Sequence, residues 1–95
     1  MSKFKYTFSL RFNTKVGVTA SNVPYTLHFI WFDIYQCWSV SIYKNGVAIR
    51  EGVIVNIEEN LLPSSEKNGM LFFSGDEITR QSIGETCFLY HESEI

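Results

Sequence analysis

Ninety-five residues, 45% apolar and 19% charged, suit one domain around a single core and argue against a disordered chain. The formal charge is −2 and the basic residues are scattered, so no basic run is long enough to follow a phosphate backbone. No apolar run approaches the roughly 18 residues of a membrane-spanning helix.

The 16% aromatic content favours sheet, since rings pack well on a pleated surface, and no stretch repeats apolar residues at helical spacing. Residues 3–12 alternate without a fault. Phe4, Tyr6, Phe8, Leu10 and Phe12 share one face, and Lys3, Lys5, Thr7, Ser9 and Arg11 the other, which predicts one long core strand with a lysine-guarded polar face. Asn13–Pro24 holds Gly17, Ser21, Asn22 and Pro24 and reads as an elongated hairpin loop or a projecting arm, with Val16 and Val18 extending the flanking strands slightly.

Residues 25–32 are aromatic and β-branched, and 37–44 alternate large apolar with small polar residues, so both are predicted strands, joined by Asp33-Ile34-Tyr35-Gln36. Asn45-Gly46 then accepts the positive φ that a two-residue type I′ turn needs at both central positions. That turn pairs Lys44 with Val47, Tyr43 with Ala48 and Ile42 with Ile49. Continued, the register would bury Glu51 opposite Val40. Gly52 is therefore predicted as a bulge that resets the phase, so that Val53, Val55 and Ile57 turn inward.

Leu61-Leu62 are expected to plug an open end of the sheet structure, and Pro63 stops any strand. Residues 70–73 read as a short buried strand. Residues 76–84 read as one or two helical turns, capped by Asp76 and ended by Gly84, with Ile78 and Ile83 facing the core. Residues 85–91 read as the last strand, and the acidic tail after it should fray. The expected fold is all-β: a small antiparallel barrel or sandwich of about six strands with one short helical turn.

Candidate chemistry is sparse. His28 and His91 are the only histidines, too few and too far apart for a metal set. Cys37 and Cys87 lie in separate predicted strands and are expected to be reduced. Cys37 with His28 is the one nucleophile–base pairing worth naming, and no Gly-rich elbow flanks it. The carboxylate pairs Glu58-Glu59 and Asp76-Glu77 are turn neighbours suited to solvation rather than to a shared proton. Isolated glycines form no phosphate-cradling loop. Phe32, Tyr35 and Tyr43 are the candidates for stacking bases, as on small β-barrels that bind single strands. The residues alone thus leave two classes open: a protein-contact domain, or a binding module for single-stranded nucleic acid or peptide.

The ordered set Tyr25-x-Leu27-x-Phe29-x-Trp31, Trp38-x-Val40-x-Ile42, Asn45-Gly46, Gly52-Val53, Leu61-Leu62, Gly69-x-Leu71, Ile83-Gly84 and Phe88-x-Tyr90 goes further. Over about residues 4–91 it resembles the small baseplate plug proteins of contractile-tailed bacteriophages, the cyanophage-type plug domain. It departs from that pattern at Phe32-Asp33-Ile34-Tyr35, where an Asn-containing turn is usual, in the length of the Asn13–Pro24 loop, which is longer than the family leads one to expect, and at Gly84, which follows Ile rather than Leu. The resemblance implies a phage or prophage virion structural protein that closes the tail-tube lumen near hub and spike. It implies no cofactor, metal or catalytic residue, no membrane and no nucleic acid. The expected location is the virion tail baseplate, reached from the host cytoplasm during assembly, and the expected partners are hub, spike, tube and further copies of the chain. Trp31, Trp38, Asn45, Gly46, Gly52 and Gly84 would carry the scaffold. Val16, Val18, Val23, Phe32, Ile34 and Tyr35 would supply the interface, because fifteen aromatics cannot all be buried in a chain this short.

Overall fold

The computed structural model describes residues 3–8, 10, 13–63, 65–67 and 69–92. Seven strands form in order: β1 (Lys3–Tyr6), β2 (Asn13–Ala20), β3 (Val23–Phe32), β4 (Cys37–Lys44), β5 (Val47–Ile54), β6 (Met70–Gly75) and β7 (Cys87–Glu92). They make two antiparallel sheets, one ordered β2-β3-β4-β5 and the other β1-β7-β6, which do not close into a barrel. The sheets pack face to face. Tyr25, Leu27, Phe29, Trp31, Trp38, Val40 and Ile42 from the first meet Leu71, Phe73, Cys87 and Leu89 from the second, all buried. Phe29 stands edge-on to both Phe73 and Trp38. Trp31 and Trp38 are directly opposed across β3 and β4, with ring centres 5.3 Å apart. Both tryptophans are buried in the core.

Four expectations change. The first strand stops at Tyr6 because β1 belongs to one sheet and β2 to the other, so the chain between them must cross the sandwich. Phe8 and Leu10 still pack against the core, but Phe4 is 59% exposed; Phe12 and Arg11 lie outside the described residues. Segment 13–24 is the hairpin of the two readings, but it is strand rather than loop, β2 taking Asn13–Ala20 and β3 starting at Val23. Ala20 pairs with Val23 across Ser21-Asn22, whose φ values of 51° and 68° are those of a type I′ turn. Pro24 sits at an outward backbone position where the missing N–H costs no bond to β2.

The described part of 76–86 contains no helix. Side chains there hold the backbone in turns: Thr79 N–H donates to Ser82 Oγ at 2.8 Å, Ser82 N–H donates to Thr79 Oγ1, and the Ser82 carbonyl accepts from the N–H groups of Glu85, Thr86 and Cys87. Such local bonds compete with a helical ladder. Gly84 (φ 89°) therefore serves a turn and ends no helix, while Ile83 is buried and Ile78 packs on the core.

The fourth change is in β5. Lys44–Val47 and Tyr43–Ala48 pair as expected, with φ of 54° at Asn45 and 78° at Gly46. Ile42, however, opposes Arg50 rather than Ile49, and Val40 opposes Val53. Two single-residue shifts occur, the second at Gly52 (φ 61°). Parity explains the pair, since one slip would turn Val53 outward and a second restores the inward phase. Beyond β5, Val55 N–H still bonds Trp38 O, and then Glu58 N–H and Leu61 N–H bond Phe73 O and Leu71 O. This segment passes from one sheet to the other, and Leu61 and Leu62 are buried, as predicted.

Candidate functional site: an apolar turn on the outer sheet face

Outward residues of β3 change character along the strand. Thr26 and His28 are followed by Ile30 and Phe32. Pairing places Ile30 opposite Ser39, Ser39 opposite Ile54, and Phe32 opposite Cys37. The polar end of the face is tied by His28 Nε2 and Asn13 Oδ1, 2.5 Å apart. At the other end Phe32, Tyr35, Cys37 and Ile54 line an open apolar cleft of about 530 Å³.

The 33–36 turn is built by its own hydrogen bonds. Gln36 N–H and Gln36 Nε2 both donate to the Asp33 carbonyl, at 3.3 and 2.6 Å, and Trp31 Nε1 donates to Asp33 Oδ1 at 3.2 Å. These contacts fix the stem and leave the tip without cover. Ile34 is 90% exposed, Tyr35 77%, Ile54 45% and Phe32 43%. Large apolar groups gathered at one place on a surface mark a contact site.

Three of the six residues expected at the interface are thus together, and three lie elsewhere. Val18 is buried, and Val16 and Val23 pack against the same core. They point inward because they share a face with Leu27 and Tyr25 across β2–β3. Sequence reasoning missed Ile54 and Cys37. The alternation of β3 already put Ile30 and Phe32 outside; the unshifted hairpin register would have set Ile54 opposite Cys37, and the double shift of β5 keeps it on that face and moves it to Ser39, opposite Ile30.

The candidates for base stacking are dispersed. Tyr43 is opposite Thr26, six residues along β3 from Phe32, roughly 20 Å at strand rise. On the other sheet Phe72 stacks on Tyr90, and the lysines of β1 already lie over the rings: Lys3 Nζ is 5.1 Å from the Tyr90 centre and Lys5 Nζ 3.9 Å from that of Phe88.

Two further groups are shaped by their surroundings. Glu66 accepts from Tyr25 Oη at 2.6 Å and from Lys44 Nζ at 3.1 Å. The Tyr25 bond first, and Lys44 second, hold its carboxyl below the ordinary 4.5. Together with Arg50, which donates to the carbonyls of Asn60 and Leu61, this contact straps the 58–67 segment to β3, β4 and β5. Cys87 is buried in the core; desolvation, and then the charges of Asp76 and Glu58, push its thiol up to about 11. Cys37 and Cys87 are both free. Among the described residues, no three His, Cys, Asp or Glu side chains gather as a metal set.

Residues 2–94 match the family model described as the cyanophage baseplate Pam3 plug gp18. A search of individually curated proteins finds no match.

Proposed function

The chain belongs to the cyanophage baseplate plug family, and from that premise we propose that it is the plug of a contractile tail. In this reading it is a non-enzymatic structural protein of a phage or prophage. It sits in the virion tail baseplate, on the tail axis, and seals the tube lumen near hub and spike until infection. The family match over residues 2–94 carries this proposal.

The exposed turn supports it. A component held on an axis must be gripped by its neighbours, and Ile34 and Tyr35 offer apolar anchors at the tip of a turn whose stem is rigidly bonded. Phe32 lines the cleft behind them. These residues contact hub, spike or tube protein, or a further copy of the chain. A symmetric ring of neighbours reuses one such surface on every copy.

Tails assembled with and without the chain test the reading. Cryo-electron microscopy of complete tails should show density for this domain on the axis at the baseplate end of the tube. Tails lacking it should have a lumen open to stain. A closed lumen in its absence, or density away from the axis, refutes the plug assignment.

A further inference from the structure

β2 is an end strand of its sheet, with β3 on one side and no strand paired on the other among the described residues. Ala20–Val23 closes a two-residue turn, so that pair exchanges both its backbone hydrogen bonds, and so do Val18–Tyr25, Val16–Leu27 and Thr14–Phe29 at successive steps of two. The peptide groups of Asn13, Lys15, Gly17 and Thr19 consequently point away from β3, off the edge of the sheet. Thr19 is already satisfied: the Tyr6 hydroxyl donates to its carbonyl at 2.5 Å and accepts from its N–H at 3.3 Å. Lys15 and Gly17 have no such partner among the described residues.

The other edges are protected. β5 is broken by two register shifts. The outer side of β6 is covered by the 57–61 segment, through Glu58 N–H to Phe73 O, Leu61 N–H to Leu71 O, and Leu71 N–H to Asn60 Oδ1. β1 is four residues long and carries Lys3 and Lys5. β2 is eight residues long and pairs with β3 without a shift, the form of edge that accepts another strand. Phe4 and Tyr6 face Gly17, Val18 and Thr19 across an open groove of about 350 Å³.

Charge identifies the occupant. Residues 1–32 contain Lys3, Lys5, Arg11 and Lys15 and no Asp or Glu; all ten acidic residues follow, from Asp33 onward. Lys3, opposite Glu92, and Lys5 lie over rings of β7, so the cation at the β2 edge is Lys15. Lys15 is exposed and makes no ion pair among the described residues. Two copies joined antiparallel through this edge about Val16 would set Lys15 against Gly17 and bring both Lys15 ammoniums to one face, with no carboxylate on either strand. Like charges so placed oppose self-pairing.

We propose that the β2 edge at Lys15–Gly17 captures an extended acidic segment of a partner protein as an added strand. Its peptide groups bond those of Lys15 and Gly17, its carboxylates lie on the Lys15 face, and its alternate apolar side chains enter the groove beside Phe4. This surface is separate from the apolar turn and does not depend on the plug assignment.

Amide exchange followed by NMR on the full chain tests it, with a capped seven-residue peptide of alternating glutamate and valine as probe. In the free chain, the Lys15 and Gly17 amides should exchange rapidly while Val16 and Val18 stay protected. The peptide should slow exchange at Lys15 and Gly17 and shift their resonances. Lys15→Glu should weaken binding roughly fivefold. Gly17→Pro, at an N–H that serves no bond to β3, should abolish it. If Gly17→Pro does not fold, the same peptide N-methylated at alternate residues, which removes its edge-facing donors, replaces that arm and should not bind. Protected Lys15 and Gly17 amides in the free chain overturn the proposal. So do binding indifferent to Lys15→Glu and to N-methylation, a lysine–valine peptide that binds equally well, and dimerisation of the chain through this edge.

Discussion

Replacing Ile34 with Ser and Tyr35 with Thr separates an interface from a core. Ile34 is 90% and Tyr35 77% exposed. Taking roughly 200 Å² as the full surface of such side chains, the two together hide about 60–70 Å² from water, some 1.5 kcal/mol at 25 cal/mol per Å². Ser and Thr keep part of that contact, so the double variant should lose about 1 kcal/mol, which for a chain of this size lowers Tm by roughly 4–8 °C. Phe29→Ala, which empties the centre of the sandwich, should cost about 3–5 kcal/mol. Thermal unfolding gives the first quantity. Light scattering of the purified chain, and its incorporation into tails, give the second. The reasoning expects near-native stability with assembly lost. A fall of more than about 10 °C with assembly unchanged would place the turn in the core. Native stability with native assembly would equally remove it from any interface.

Other substitutions probe the scaffold and its titrating groups. Gly46→Val meets open space at the new Cβ, so its cost is the positive φ alone, about 1–2 kcal/mol by denaturant unfolding, and Gly46→Asn should recover most of it. Under native conditions a thiol reagent should modify Cys37 and spare Cys87, and unfolding should release the second thiol. The raised Cys87 pKa makes stability fall as pH climbs from 9.0 towards about 11, because only the unfolded thiol ionises there. Glu66 has the opposite sign: its lowered pKa adds stability above 4.5 that is lost as pH drops through the folded value, and Glu66→Gln should flatten that acid limb of the stability curve. Raising salt from 50 to 200 mM should leave turn-mediated assembly intact; a loss of binding by orders of magnitude would instead indicate phosphate contacts and a nucleic-acid ligand.

Where local chemistry decides the backbone, the sequence is readable. Asn45-Gly46 specifies its turn because both residues tolerate left-handed φ, and the strands around it alternate with one wet face. The same chemistry at Ser21-Asn22 is less visible, since neither residue is glycine and Pro24 follows closely. Yet Val16, Val18 and Ala20 alternate with Lys15, Gly17 and Thr19 as a strand should. The capping signals at Asp76 and Gly84 are outweighed by Thr79 and Ser82, whose hydroxyls bind the backbone locally, and by Trp38, whose indole N–H bonds the Thr79 carbonyl at 3.1 Å. No period can show that Tyr6 and Asn13 belong to different sheets.

The candidate site follows the same division. Ile34 and Tyr35 lie at a turn tip and are exposed for that reason, which sequence alone conveys. Cys37 and Ile54 join them only through pairing; the two shifts of β5 cancel in parity, so Ile54 keeps the outer face and only its partner changes, from Cys37 to Ser39. Edges are harder still, because an open edge is a property of what fails to pair. β2 becomes one only when β1 leaves for the other sheet and Tyr6 returns a single hydroxyl to Thr19. The charge that would guide a partner there was nevertheless written in plain order: thirty-two residues without a carboxylate, then ten carboxylates in the remainder. Summed into a net −2, that division disappears. Folded into two sheets, it leaves Lys15 exposed on β2 at the open edge, lays Lys3 and Lys5 of β1 over rings of the other sheet, and leaves the carboxylates to the strands and turns that follow.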